Sequence, residues 1–202
     1  MLALRYHSFG DLRDLRLDEV IMPVPAAGEV LVRVRAASVN PVDWKIATGS
    51  FRLLVRGGLP RTMGSDFAGE VAEVGPGGDT SALGRRVLVR PCMRPSGFDS
   101  METVWMGSDF DGAFADFVRV PASEVFAVDC DRSDAELGAI PCAFGTAENM
   151  LLHAGVRPSQ HVIVTGRAAS DALIELADTV SVIADEKHAF RAGVKAQPGI
   201  DL

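Results

Sequence analysis

The first 130 residues alternate short apolar runs with turn residues, and this pattern constrains the fold more than any other feature. In EVLVRVRAASV, Val30, Val32 and Val34 alternate with Leu31, Arg33 and Arg35. GEVAEVG repeats the alternation and runs into the turn cluster GPGG, while RRVLVRP and GAFADFVRVP both end in proline. Alternation with a period of two is typical of strands, and many short strands separated by turns predict a compact β barrel or sandwich.

The pattern changes near Ser133, where helical signals begin. Ser133 and Glu136 have the spacing of a capping box, Pro141 interrupts a helix or begins a new one, and Gly155 is placed to end it. HVIVTG, SDALIELA and TVSVIA then predict a strand, a helix and a parallel strand over 161–184. We therefore expect two domains, 1–132 and 133–202.

The composition excludes several classes of function. A net charge of -7 and a pI of about 5.1 argue against nucleic acid or an anionic membrane as the partner. No apolar run reaches the roughly 18 residues that a membrane span needs, and the first residues lack the apolar block of a signal peptide. The three cysteines are far apart, which suits a reducing compartment, so a cytoplasmic location is expected.

Five motifs in order carry a resemblance to a known family. AASVNPVDWKIATG, GSDFAGEVAEVG, GRRVLV, GAFADFVRVP and GTAENML resemble the medium-chain dehydrogenase/reductase superfamily, and its zinc-independent, quinone-oxidoreductase-like branch most closely. The resemblance implies a mainly β GroES-like barrel followed by an α/β, Rossmann-like segment, which is truncated here. It also implies hydride transfer between a nicotinamide cofactor and a small quinone, enone or carbonyl.

The same motifs lack the expected zinc ligands. Zinc-dependent relatives carry a cysteine where this chain has Val39-Asn40-Pro41, and a Gly-His-Glu where it has Gly64-Ser65-Asp66. Their four-cysteine lobe is reduced to Cys92 here, and zinc needs three or four nitrogen, sulfur or oxygen ligands. We expect no zinc. Asp43 and Asp66 remain candidate ligands for a hard cation, against the simpler interpretation that Asp43 starts a helix and Asp66 caps a turn.

The resemblance also suggests residues for the site. Asn40 and Thr146 match positions that lie near the nicotinamide, where an amide and a hydroxyl bind its carboxamide. Against this, Asn40 could hold the turn before Pro41, and Thr146 could cap a helix. Lys45 could stabilise negative charge on the reduced substrate or be a solvated surface lysine. The predicted catalytic residues are Asn40, Asp43 and Lys45.

The tail has an incomplete phosphate loop. A dinucleotide-binding βαβ unit needs several glycines in its first turn, but VTGRAAS keeps only Gly166. Asp185, 19 residues further on, is placed to bind the adenosine ribose, and Lys187 could instead meet a 2′-phosphate, which favours NADP(H) over NAD(H). The alternative is that both belong to a charged turn between a strand and a helix. The predicted cofactor-binding residues are Asn40, Thr146, Gly166, Asp185 and Lys187, with weak binding expected.

Three functions remain open from the sequence. The first is an NAD(P)H-dependent oxidoreductase, impaired by truncation. The second is a non-catalytic GroES-like binding or assembly module that has lost its nucleotide domain. The third, a lyase or hydrolase using Asp43, Asp66 or Asp109, has no visible nucleophile–base pair to support it. Two lone parallel strands would leave an edge and both faces uncovered, so they need the barrel or a second chain as a partner, and a homo-oligomer is expected.

Overall fold

The computed structural model describes residues 1–53, 56, 58–96 and 102–157. Short strands dominate this part of the chain. They are β1 (Leu2–Tyr6), β2 (Arg16–Glu19), β3 (Glu29–Ser38), β4 (Arg61–Thr62), β5 (Asp66–Val74), β6 (Arg86–Val89), β7 (Cys92–Met93), β8 (Val104–Trp105), β9 (Phe117–Pro121) and β10 (Val125–Ala127). The helices are α1 (Pro41–Ala47), α2 (Asp134–Gly138) and α3 (Ile140–His153). The predicted mainly β fold is confirmed.

The strands pair antiparallel in three sheets. The largest has the order β10-β6-β5-β3-β9, a second has the order β2-β1-β4, and β7 pairs with β8. The segment before β9 joins the first two sheets, because Leu4 N donates to Phe114 O, Asp116 N to Leu2 O, and Val34 N to Asp116 O. The ladder of β3 and β5 is the longest contact and contains two register shifts. It carries the candidate site at one end.

The main core lies on one side of the large sheet. It contains Val30, Val32, Phe67, Val71, Val87, Val89, Met93, Met106, Ala113, Val118 and Val120. The alternation predicted for β3 is only partly right, since Leu31 on the opposite face is also buried, at 1% exposure. Arg33 and Arg35 are exposed as expected. The first half of β3 is therefore buried on both faces, which an alternation with a period of two does not predict.

The helix signals near residue 133 are confirmed. Ser133 caps α2 and its hydroxyl accepts from Glu136 N, while the Glu136 carboxylate accepts from Ser133 N, which is a capping box. Pro141 lies in the first turn of α3, so it begins a new helix. Gly155 follows the end of α3 with a φ of 63°, a conformation that favours glycine.

Two glycines allow a close backbone approach beside the site. Gly64 has a φ of 96°, and a Cβ there would lie 2.3 Å from the ring of Phe114. A Cβ on Gly112 would lie 2.2 Å from Gly64 O and 2.4 Å from Met63 O. Gly112 N donates to Thr62 O, and Ala113 N donates to Gly64 O. The segment after residue 111 is thus held against the loop that precedes β5.

The contacts divide the chain into units 1–156 and 157–202. Helices α2 and α3 belong to the same unit as the sheets, whereas the predicted domain boundary at 132/133 follows the change in sequence pattern and stays a prediction. The strand–helix–strand unit predicted over 161–184 lies outside the described residues. Within the described ranges, no helix is both long enough and apolar enough to cross a bilayer.

Candidate functional site

Strand pairing brings the candidate site together at one end of the large sheet. Ser38, the last residue of β3, lies opposite Asp66, the first residue of β5. Asn40 follows two residues later and forms the N-cap of α1. Pro41 occupies the first turn of that helix, where a missing N–H costs nothing. The ladder register therefore places Ser38, Asn40 and Asp66 side by side.

Asp66 is the centre of this cluster and is fully buried. Its Oδ2 accepts from Ser38 Oγ at 2.8 Å and from Asn40 Nδ2 at 3.2 Å. Its Oδ1 accepts from Cys142 N at 3.2 Å, in the first turn of α3. The interpretation of Asp66 as the cap of a turn is therefore wrong. Asp66 connects β3, α1 and α3.

Asp43 holds the neighbouring helix start and is 3% exposed. Its Oδ2 accepts from Asn40 N at 2.7 Å, and its Oδ1 accepts from Ser65 N at 3.1 Å and Ser65 Oγ at 2.9 Å. It lies in the first turn of α1, as the simpler interpretation predicted. Both carboxylate oxygens are thus engaged by donors of the protein itself.

Burial controls the protonation of this cluster. Desolvation raises the pKa of Asp43 and of Asp66 above the ordinary aspartate value, and the hydrogen bonds that each accepts offset this only in part. The charge of Asp43 raises the pKa of Asp66 further. Burial, and then the two carboxylates, also raise the pKa of the Cys142 thiol. The thiol is therefore held in its protonated, poorly nucleophilic form at neutral pH.

The raised pKa of Asp66 gives stability a definite pH dependence. The Asp66 carboxyl holds its proton more tightly in the native state than in the unfolded chain. Protonation of Asp66 therefore stabilises the native state at low pH, and this stabilisation is lost as pH rises through the pKa of Asp66 in the folded protein. The side-chain amide introduced by Asp66→Asn would stay neutral throughout. We expect the substitution to cost less unfolding free energy at pH 8 than at pH 5, measured by urea denaturation of both chains. A cost that grows with pH would contradict this prediction.

The structure also locates two further predicted residues, Lys45 and Thr146. Lys45 is partly exposed, with its ammonium 5.8 Å from the centre of the exposed Trp44 ring. Thr146 lies within α3 rather than at its start, so the interpretation of Thr146 as a helix cap is wrong. Its hydroxyl donates to Cys142 O at 2.7 Å, one turn back. The predicted cofactor residues Gly166, Asp185 and Lys187 lie outside the described residues.

Sequence reasoning missed three residues of the cluster. Ser38 and Ser65 bind the two carboxylates through their hydroxyls, and Cys142 does so through its backbone N–H. The Cys142 contact spans 76 positions, so no local motif could reveal it. The signal that was available is the strand pattern, because pairing β3 with β5 in register would have placed Ser38 beside Asp66.

The side chains of the Asp66 cluster do not form a set of ligands that fits zinc. Zinc requires three or four ligand atoms with free lone pairs in a tetrahedral array. In the ranges that the structure describes, no group of three or more His, Cys, Asp or Glu side chains is arranged to hold a metal ion. The oxygens of Asp43 and Asp66 instead accept from N–H and O–H groups.

One family model matches about half of the chain, and whole-sequence relatives match more of it. The sequence profile of the alcohol dehydrogenase GroES-like domain matches residues 26–129. The L-threonine 3-dehydrogenase of Pyrococcus furiosus is 30% identical over 92% of this chain and 56% of its own length. A chloroplastic quinone-oxidoreductase homolog of Spinacia oleracea is 32% identical over 75% of this chain and 42% of its own. The chain thus spans about half the length of these relatives.

Solved structures agree with the sequence comparison. The cobalt- and zinc-bound thermostable alcohol dehydrogenase of Pyrobaculum aerophilum superimposes with a TM-score of 0.69 at 30% identity, over 78% of this chain and 50% of that one. The quinone oxidoreductase of Coxiella burnetii gives a TM-score of 0.65 at 26% identity, over 79% and 46%.

The tail is similar to two different families. The profile of the ATP:corrinoid adenosyltransferase BtuR/CobO/CobP matches residues 146–202. The threonine dehydrogenase alignment, at 92% of 202 residues, covers about 186 of them and so extends into the same region. The interpretation of the tail as a Rossmann fragment therefore stays a prediction.

Proposed function

The chain belongs to the medium-chain dehydrogenase/reductase superfamily through its alcohol dehydrogenase GroES-like domain, and from this premise we propose that it carries the substrate half of a nicotinamide-dependent oxidoreductase site. The reaction is hydride transfer between NAD(P)H and a small quinone, enone or carbonyl, without zinc. NADP(H) is the preferred cofactor. The chain spans about half of its relatives, so full activity depends on whether the tail supplies the nucleotide half.

One observation carries this proposal. Asn40 and Thr146 are far apart in sequence, but Asp66 connects them. The Asn40 amide donates to Asp66 Oδ2, Asp66 Oδ1 accepts from Cys142 N, and the Thr146 hydroxyl donates to Cys142 O. The two residues that the family resemblance assigns to the nicotinamide thus belong to one hydrogen-bonded network, which fixes their positions before a ligand binds.

The network suggests a role for each side chain. The Thr146 hydroxyl is exposed and, while it donates to Cys142 O, its oxygen can still accept from the N–H of a carboxamide. Asn40 is held at the head of α1 by Asp43 and Asp66. Lys45, partly exposed on the same helix, stabilises negative charge on the acceptor during hydride transfer. Asp43 and Asp66 act as positioning residues, because their oxygens are occupied by protein donors.

Zinc independence is a separate prediction. The protein purified without added metal is expected to contain well under one zinc per chain by elemental analysis. The physical reason is the donor set, with Ser65 at the position of a ligand histidine and the carboxylates engaged by N–H and O–H donors. Stoichiometric zinc that survives a chelator would show this prediction to be wrong.

Calorimetric titration of the full chain with NADPH and NADH tests the proposal. We expect saturable binding that is weaker than micromolar, since the phosphate loop keeps only Gly166, and tighter binding of NADPH than of NADH. Asn40→Ala and Thr146→Val are expected to weaken binding about tenfold each, the order of one lost hydrogen bond to the ligand.

Thr80→Val is the matched control, because Thr80 lies exposed in a separate turn after β5. It should leave binding unchanged. Submicromolar affinity would mean that the tail forms a complete nucleotide site, and undetectable binding of both cofactors would reject the oxidoreductase proposal for this chain. Oxidation of NADPH in the presence of a small quinone then tests whether the bound cofactor is competent.

One observation favours the alternative, a GroES-like binding or assembly module. Helix α3 has no buried residue, and its large apolar side chains Phe144, Met150 and Leu152 are exposed at 65%, 66% and 73%. A monomer rarely leaves such a surface open. Light scattering of the parent chain and of a Met150→Glu, Leu152→Glu variant tests this. Self-association that the variant loses, without cofactor binding in either chain, would favour the assembly function.

A further inference from the structure

A second concave region lies away from the Asp66 cluster. A cavity of about 280 Å³ opens between β1, β4 and the segment that leads into β9. Its charged lining residues are Arg5, Arg61, Arg119, Asp111 and the N-terminal Met1, and Phe110 and Val118 add apolar surface. It shares no lining residue with the Asp66 cluster. It is also small beside the several hundred Å³ typical of ligand pockets, so a dinucleotide does not fit.

The lining is positive in a chain that is negative overall. Three arginines and one aspartate are among its lining residues, whereas the whole chain has a net charge of -7. Asp111 is already engaged, since its Oδ1 accepts from Thr62 N at 2.8 Å and lies 3.9 Å from Arg61 Nη1. Arg119 contacts Glu29 at 3.3 Å, but among the described residues the other two arginines have no carboxylate as close as this.

Arg5 and Arg61 retain unused hydrogen-bonding capacity. Their side chains are only 18% and 14% exposed. Each uses one Nη2 atom on a carbonyl, at Pro60 O and Gly58 O, and reaches its carboxylate only at 3.9 Å, beyond hydrogen-bond distance. The Nε atoms of both are buried without a hydrogen-bond partner within the described residues. Buried, incompletely paired charge is costly, and an anion nearby would relieve it.

We propose that this cavity, which Arg5 and Arg61 both line, binds a small oxyanion, a phosphate or a carboxylate group. A guanidinium presents N–H donors in a planar fork that matches both groups. The apolar surface of Phe110 and Val118 leaves room for a short carbon chain behind the charged group. The site is independent of the nicotinamide site.

Thermal denaturation of the full chain tests the proposal. Inorganic phosphate and butyrate are added separately at constant ionic strength, with chloride as the reference anion. A ligand that binds only the native state raises the midpoint in a saturable way. We expect saturable stabilisation by at least one of the two, and the stronger of them identifies the source of the anionic group.

Variants assign the effect to the two arginines. Arg5→Gln and Arg61→Gln are each expected to weaken the apparent affinity at least tenfold. Arg61→Lys keeps the charge and protects the fold, and should weaken it severalfold through loss of the fork. Arg13→Gln is the control, because Arg13 is 90% exposed and pairs with Asp11 outside the cavity. No saturable stabilisation by either anion, or equal stabilisation of the parent and both glutamine variants, would overturn the proposal.

Discussion

The Gly112→Ala variant is expected to unfold with about 3 kcal/mol less free energy than the parent chain. The added Cβ would lie 2.2 Å from Gly64 O and 2.4 Å from Met63 O, and both are backbone atoms that cannot turn aside. The clash can be relieved only by moving the segment after residue 111 away from the loop before β5. That movement breaks the hydrogen bonds from Gly112 N to Thr62 O and from Ala113 N to Gly64 O. Urea denaturation followed by circular dichroism measures the loss.

Gly145→Ala is the matched control and should change stability in the opposite direction. Gly145 lies within α3, and among the described residues no atom beyond its chain neighbours and its own helix backbone lies within 4 Å of an added Cβ. Alanine in a helix interior is favoured over glycine by about 0.5–1 kcal/mol. If the two substitutions destabilised the chain equally, the close approach at Gly112 would not be the cause.

Asp43→Ala is the second substitution with a large expected effect, again about 3 kcal/mol of lost unfolding free energy. It removes a buried acceptor of three hydrogen bonds, leaves Asn40 N and Ser65 N unpaired, and opens a void where the carboxylate was. Removing a desolvated carboxylate is itself favourable, so it offsets part of the lost unfolding free energy. Chemical denaturation at pH 7 measures it.

Asp14→Ala provides the comparison for Asp43. Asp14 is exposed in a short 3-10 turn, and its side chain makes no hydrogen bond or ion pair with any described residue. Surface substitutions of this kind change stability by about 0.5 kcal/mol or less. A comparable effect at both positions would mean that the bonds accepted by Asp43 contribute little. The lost alignment of Asn40 should also weaken NADPH binding in Asp43→Ala at temperatures where the variant is folded.

Local signals in the sequence were sufficient for β3, β5, β6 and β9 and for the helix boundaries near residues 133, 141 and 155, whereas the other six strands were not predicted. Ser133 with Glu136, Pro141 and Gly155 each act through neighbours within a few residues, and all three signals are confirmed. The alternation in β3 failed at Leu31, because burial of its second face depends on elements distant in sequence. The alternation within a strand shows which residues share a face. Tertiary packing decides whether that face is buried.

The sequence pointed to some residues of the Asp66 cluster but not to their arrangement, and their roles stay predictions. The family resemblance pointed to Asn40 and Thr146, while the residue that joins them, Asp66, had been interpreted as a turn cap or a cation ligand. Its role depends on the register of β3 with β5 and on a contact with α3 from 76 positions away. Such contacts follow from the assembled fold, and only the register part was accessible from the strand pattern.

The hydrogen bond between Cys142 N and Asp66 gives α3 two ends of different character. The first turn is hydrogen-bonded to the buried Asp66 carboxylate of the large sheet, whereas the rest of the helix has no buried residue. In deuterated solvent, the Cys142 amide should exchange only when the sheet itself opens. Amides near Met150 should exchange much earlier, through local fraying. A helix that looks continuous would thus behave as two units, and a probe at Cys142 would measure the opening of the cluster on which Asn40 depends.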